Sequence, residues 1–334
     1  MISAERYDEI RDGIFAAGYD AIAVVGPTAS GKTGLSLELA RRLGGEIISC
    51  DSMQIYKGMD IGTAKVTTEE MGDIPHHLID ALELSENYSA ADYVKDAERS
   101  VRDIRSRGKL PIFCGGTGLY LDSVMRGEYP DVSESDPALR EQLFSYAREK
   151  GNSALHSMLR ELDPESADAI HENNVKRVVR AIEIIRSSGK RKSELDLERS
   201  EYKGLKIFVV CLTYADRELL YRRIEKRVDI MLEDGMCDEL RVLMADDGFM
   251  SNRTAIQAIG YKELFPYIRG EAELSECVEV LKQATRRYAK RQLTWFLGKD
   301  YVRSLTCDRE GSVKSTDELA LGYLALLKDE IPLV

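Results

Sequence analysis

The sequence predicts an α/β fold, a P-loop NTPase-like core with a parallel β-sheet flanked by helices, with an all-helical subdomain inserted in the middle of the chain. Three observations carry this. Short apolar runs of strand length recur at Ala21–Val25, Glu46–Cys50, Leu110–Cys114 and Lys206–Leu212, the first three ending in polar or glycine-rich turns. Segments of helical periodicity separate those three, and the resulting β-α-β-α-β order implies a parallel sheet. From Pro137 to about Ser188 the pattern is helical, clearest in LDPESADAIHENNVKRVVRAIEIIRSSG, before the fourth strand begins.

The first strand leads into AIAVVGPTASGKTGLSLELA. Its spacing G-x-x-x-x-G-K-T is complete over Gly26, Pro27, Thr28, Ala29, Ser30, Gly31, Lys32 and Thr33, and Leu35, Leu37, Leu39, Ala40 and Leu43 then continue as an amphipathic helix. Strand, glycine loop and helix together are a P-loop NTPase-like arrangement of the nucleotide- and ATP-binding kind. Backbone N–H groups and the helix N-terminus favour a diphosphate or triphosphate there. Lys32 would reach the outer phosphate oxygens, and the Thr33 hydroxyl would ligate Mg²⁺. A glycine turn that merely joins strand to helix would not need the full spacing.

The second strand ends at Asp51, 19 positions after Lys32, and opens DSMQIYKGMDIGTAK. A carboxylate beside a phosphate cradle can order Mg²⁺ or take a proton from an incoming nucleophile. An isolated Asp-Ser pair is more often a helix cap or a turn Asp, but Ser52, Gln54, Tyr56 and Thr63 make this a polar, functional-looking loop. The third strand runs into CGGTGLYLDS, whose adjacent glycines allow close backbone approach and whose first hydroxyl is Thr117. Ligands of such sheets sit at the carboxyl ends of the strands, so three loops converge on one edge.

After about Arg126 the chain changes character. GEYPDVSESDPALR reads as a linker, dividing the chain into a core of residues 1–128 and 202–334 and a helical insertion of 129–201. Two stretches depart from the net charge of −11. Val175–Lys192 carries seven basic residues with Glu183 as its single acid, and Lys282–Phe296 carries five with no acid, interleaved with Tyr288, Trp295 and Phe296. Cations among aromatics suit a polyanionic backbone and stacked bases; a solvated helix with a buried stripe is the plainer alternative for either stretch alone. The helix from Asp216 carries Arg222, Arg223 and Arg227, one of which could reach a diphosphate. His76 and His77 are adjacent and would diverge on a strand, so packing or hydrogen bonding is expected of them rather than metal binding.

Of the 334 residues, 43% are hydrophobic and 31% charged, the balance of a soluble globular protein of about two domains. No charge-free run is long enough to cross a bilayer, and the charged N-terminus lacks a secretory apolar stretch. Six cysteines, no two closer than 26 positions, exclude a local CxxC motif and suit a reducing cytoplasm.

In order, GPTASGKT, DSMQIYKGMDIGTAK, PHHLID, FCGGTGLY, HENNVKRVVRAIE, QAIGYKE and RRYAKRQLTWF resemble the tRNA dimethylallyltransferase (tRNA isopentenyltransferase, or IPP transferase) family, from Gly26 to Phe296. The resemblance implies transfer of a dimethylallyl group from dimethylallyl diphosphate to N6 of the adenosine 3′ of the anticodon, at tRNA position 37. The tRNAs would be those reading codons that begin with U. It implies Asp51 as general base, Thr117 as a positioning group and Arg223 as the diphosphate-contacting arginine, with Arg227 its competitor. The DSMQ loop (Asp51, Ser52, Met53, Gln54) would contact the extruded base together with Thr117. Asn174, Lys176, Arg177 and Arg180 would grip the anticodon stem-loop, and Arg286, Arg287 and Arg291 the backbone phosphates. Mg²⁺ as cofactor, a monomer, no membrane partner and a bacterial-type member, without the zinc finger of eukaryotic members, are also expected. Val66 stands where the family usually has proline. The rival readings are a small-molecule P-loop kinase, which would leave the basic stretches unexplained, and an adenylate isopentenyltransferase, which has no use for an anticodon-gripping insertion.

Overall fold

The computed structural model describes residues 4–127, 136–195 and 204–331. Its frame is a six-stranded sheet, all pairs parallel, in the order β3-β2-β4-β1-β5-β6. The strands are β1 (Ala21–Val25), β2 (Gly45–Cys50), β3 (His76–His77), β4 (Leu110–Gly115), β5 (Ile207–Thr213) and β6 (Val302–Thr306). The four strands expected from the sequence are the central four, shifted by at most a residue at either end. The two edge strands were not expected: β3 has two residues, and β6 is half-exposed, so neither carries an apolar run to read.

Alternation along β1 divides the core. Ile22 and Val24 face one layer, where the helices Ala4–Ala16, Lys32–Leu43 and Thr316–Lys328 bring Ile14, Leu39 and Tyr323. Ala21, Ala23 and Val25 face the other, where Ala90–Ser106 and Gly118–Arg126 bring Tyr93, Val101 and Leu121. Both faces of a parallel sheet are thus covered, as its unbroken apolar strands require. A third cluster, with Tyr56, Met236, Phe249 and Tyr261, packs the loop after β2 against the helices Arg217–Glu233, Met236–Met244 and Leu274–Leu297. This layer roofs the edge where β1, β2 and β4 end.

Between β4 and β5 the chain forms the helices Pro137–Lys150, Asn152–Leu162, Pro164–Ala169 and Val175–Ser188, which share a core of their own around Leu143, Leu155, Leu159 and Ile182. The expected boundaries of this insertion, 128/129 and 201/202, lie outside the described residues. Asp163 ties it together: wholly buried, it accepts hydrogen bonds from the N–H and hydroxyl of both Ser166 and Ser193, which hold its carboxyl down at about 2.

The histidine pair behaves as polar packing. His76 Nδ1 lies 2.8 Å from the Ile74 carbonyl and His77 Nε2 2.8 Å from Glu46, a buried carboxylate also bound by Arg107.

Candidate active site

β1 delivers the chain into the loop Gly26–Thr33. Gly31, at φ 95°, turns it into the Lys32–Leu43 helix. Ala29 is also left-handed, at φ 61°, and its carbonyl accepts from Arg223 Nε at 2.9 Å, which helps hold a conformation that costs a non-glycine residue energy. Lys32 is half-buried, its ammonium turned inward to donate to the Pro27 carbonyl at 2.7 Å. Burial, with the Arg227 guanidinium adding to it, pulls the Lys32 ammonium down to about 8.

β2 ends at Asp51, whose Oδ1 accepts from the Met53 and Gln54 amides at 2.9 and 3.4 Å. Asp51 thus closes a turn rather than capping a helix, since no helix begins here, and the same carboxylate also lines the central cavity. β4 ends in the glycine loop. The Thr117 N–H donates to the Cys50 carbonyl at 3.1 Å, and the Thr117 hydroxyl accepts from the Ser52 N–H at 3.2 Å. The second and third loops are thus joined at Thr117.

The third loop needs its glycines for close approach. A Cβ at Gly116 would lie 2.0 Å from Gln292 Nε2, and one at Gly118 would lie 2.3 Å from the Trp295 ring. Both contacts come from the Leu274–Leu297 helix, which crosses the mouth of the sheet. Gln292 is buried there, accepting from the Thr28 N–H at 2.9 Å and donating to the Gly116 carbonyl at 3.1 Å. Burial, with the Asp51 carboxylate nearby, raises the Tyr288 hydroxyl and keeps it protonated. Sequence reading missed Gln292 and Tyr288 as cavity groups, because only the fold brings this helix back to the P-loop.

The loops enclose a cavity of about 320 Å³. Its lining combines Thr28, Lys32, Thr33, Asp51 and Arg227 with the apolar side chains of Ile224, Val228, Met231, Met236, Ile259 and Leu281. Such a lining offers partners both to an anion and to a short branched hydrocarbon. A second space of about 420 Å³ is lined by Ala29–Gly34, Glu70, Arg223, Lys226 and Arg227. Lys32, Thr33 and Arg227 border both spaces. Of the two arginines weighed from the sequence, Arg223 braces the loop from the second space, while Arg227 alone also reaches the cavity holding Asp51.

The donor set suits Mg²⁺. Thr33 and Asp51 offer hard oxygen donors on one cavity, and Mg²⁺ is usually held by one or two protein oxygens plus substrate phosphates and water. Among the described residues no cluster of three or more His, Cys, Asp or Glu forms a metal cage.

The rest of the DSMQIYKGMDIGTAK loop is braced rather than free. Gln54 Nε2 donates to the Thr63 and Ala64 carbonyls at 3.2 and 3.4 Å. Lys65 is a buried anchor bound to Asp60, Asp80 and the Tyr56 carbonyl. Glu239 accepts from three successive amides, Asp60, Ile61 and Gly62, and from the Tyr261 hydroxyl.

The residues expected to meet RNA are of two kinds. Asn174, Lys176 and Arg177 are exposed at the start of the Val175–Ser188 helix, whereas Arg180 is half-buried beside Glu183. On the long helix Arg287 and Arg291 are exposed, and Arg291 lies over the Tyr288 ring at the cavity. Arg286 is engaged by Glu225. No helix among the described residues is long and apolar enough to cross a membrane.

Residues 54–299 match the family model described as IPP transferase. The chain is 52% identical over 278 residues to the tRNA dimethylallyltransferase of Bacillus velezensis, covering 83% of this chain and 88% of that one. To that of Caldanaerobacter subterraneus it is 42% identical over 309 residues, 91% and 97% of the two chains. Among solved structures, the tRNA isopentenylpyrophosphate transferase of Bacillus halodurans aligns with a TM-score of 0.66 at 42% identity, covering 93% of this chain and 97% of that one. A eukaryotic dimethylallyltransferase acting on tRNA aligns with a TM-score of 0.76 at 30% identity, covering 94% and 80%.

Proposed function

The chain belongs to the IPP transferase family, and on that premise we propose that it moves a dimethylallyl group from dimethylallyl diphosphate to N6 of adenosine 37 in tRNA. The observation that carries this reading is the single cavity in which a P-loop lysine, Asp51 and an apolar wall meet. A kinase needs the first two; a five-carbon donor also needs the third.

The chemistry follows from the placement. The diphosphate lies against the loop amides, Lys32 and Arg227, with Arg223 adding charge from the outer side. The allyl chain lies along Val228, Met236 and Leu281. The N6 lone pair attacks C1 as the C1–O bond breaks, and that bond's electron pair leaves with the diphosphate. Fixed positive charge counts most as this negative charge builds. The N6 amine is a weak nucleophile because its lone pair is delocalised into the ring, so Asp51 takes its proton as the C–N bond forms. Thr117 keeps the Asp51 loop in register, and Tyr288 stays neutral beside it. When bound at Thr33 and the diphosphate, with Asp51 within the same cavity, Mg²⁺ would neutralise leaving-group charge.

The adenosine reaches this cavity only once extruded from its stack. The exposed cations Lys176, Arg177, Arg287 and Arg291 supply the anticodon stem-loop with phosphate partners, while Ser52 and Met53 present the loop facing the base. We assign a cytoplasmic monomer selecting tRNAs that read codons beginning with U. Incubation with labelled dimethylallyl diphosphate and unmodified tRNA tests the reading. Label should appear in N6-(dimethylallyl)adenosine after digestion; label confined to a free nucleotide would favour the adenylate enzyme, and none in any nucleoside would end the reading.

A further inference from the structure

The loop that follows Asp51 is gripped by a single carboxylate from another element. Three successive backbone N–H groups, those of Asp60, Ile61 and Gly62, donate to Glu239 at 3.0, 2.7 and 3.0 Å. Consecutive amides that converge on one point form a nest for an anion, and here the anion is the chain's own. The Tyr261 hydroxyl donates to the same carboxylate at 2.7 Å. Tyr261 is wholly buried, and a Cβ at Gly62 would stand 2.5 Å from its ring, so loop, ring and carboxylate pack as one unit.

The grip passes to Asp51 in two steps. Thr63 and Ala64 follow the gripped amides directly, and their carbonyls accept from Gln54 Nε2. Gln54 in turn donates its backbone N–H to Asp51 Oδ1. Ala64 is left-handed at φ 50°, a conformation that a non-glycine residue keeps only where its surroundings hold it. Glu239 also shares a helix face with Met236, one turn earlier, and Met236 lines the cavity that holds Asp51. We infer that Glu239 is a positioning residue. By gripping these three amides it sets Asp51 in register with the apolar lining carried by its own helix. The inference rests on the proposed reading of the cavity as a prenyl-transfer site, and it adds which residue aligns the acid with the donor.

Single-turnover rates at saturating tRNA test it on the full chain, beside calorimetric binding of dimethylallyl diphosphate and thermal melting. Glu239→Ala should lose rate about a hundredfold, the scale of a slightly misplaced reacting group. Its affinity for the donor should stay within about threefold of wild type. Glu239→Gln keeps one acceptor oxygen and should lose only about tenfold in rate. Should Glu239→Ala fail to fold, Glu239→Gln decides. Glu46→Gln disturbs a buried carboxylate at the opposite end of β2 from Asp51, bound by Arg107 and facing His77. It should lower the melting temperature while leaving the rate within about threefold of wild type. A wild-type rate in either folded Glu239 variant would overturn the inference. So would equal losses of rate and donor affinity, or a rate in Glu46→Gln that falls as far as in Glu239→Gln. A wild-type chain that transfers no prenyl group to tRNA would instead sink the reading of the site.

Discussion

The Ser52 N–H donates to the Thr117 hydroxyl at 3.2 Å, so the loop that carries Asp51 is latched to the glycine loop that follows β4. The two residues stand 65 positions apart, yet this bond sets how Asp51 faces the end of the P-loop strand. Thr117→Ala removes the acceptor and leaves the Ser52 amide without it. Turnover should fall about 5- to 150-fold, the effect of about 1–3 kcal/mol, while Thr117→Ser retains it. Steady-state kinetics with saturating tRNA check this; equal losses in both variants would mean the threonine methyl, not the hydroxyl, matters.

Asp51→Asn keeps an oxygen for the Met53 amide but cannot accept the N6 proton. Turnover should drop about 10²- to 10⁴-fold, the range of general-base catalysis, with dimethylallyl diphosphate binding preserved. Calorimetric titration beside single-turnover assays separates the two. Matching losses of binding and turnover would assign Asp51 to the loop's structure alone.

Lys32 predicts a pH dependence with a definite sign. Burial holds its ammonium at about 8 in the free protein, so it is charged below that pH and neutral above. Affinity for dimethylallyl diphosphate should weaken as pH rises through about 8. The bound anion favours the protonated form, so binding just above that pH should take up a proton. Titration in two buffers of different ionisation enthalpy measures the uptake. Lys32→Arg, charged throughout, should flatten the profile; a profile unchanged in that variant would place the titrating group elsewhere.

The two neighbouring arginines of the long helix should behave differently. Arg287 is exposed, whereas Arg286 is held by Glu225. Arg287→Ala should weaken tRNA binding and reduce the slope of log affinity against log salt by about one. Arg286→Ala should change the slope less and stability more. Filter binding across a salt series decides it, and an unaltered slope for Arg287→Ala would remove that residue from the RNA face.

What was legible in the sequence was local chemistry. The P-loop, Asp51 and the GGTG loop announce themselves because spacing and strand-end turns are short-range properties. What was missed came from the far end of the chain. Gln292 meets Thr28 across 264 positions, and Arg227 separates from Arg223 only through the packing of their helix. Lys65 reads as one more polar loop residue, although it is buried between Asp60 and Asp80. Arg286 reads like Arg287, since a charge partner on another helix leaves no trace in spacing. Strands β3 and β6 sit at sheet edges, where little burial is needed and no apolar run marks them.

The account stands on cleavage of the carbon–oxygen bond rather than a phosphorus–oxygen bond at this P-loop. Dimethylallyl diphosphate carrying heavy oxygen at its bridging position, turned over with unmodified tRNA and followed by mass spectrometry of both products, measures it directly. The predicted result is heavy oxygen wholly in the released diphosphate and a prenylated adenosine of unshifted mass. Diphosphate or phosphate released without the label, or a phosphorylated tRNA product, would contradict it.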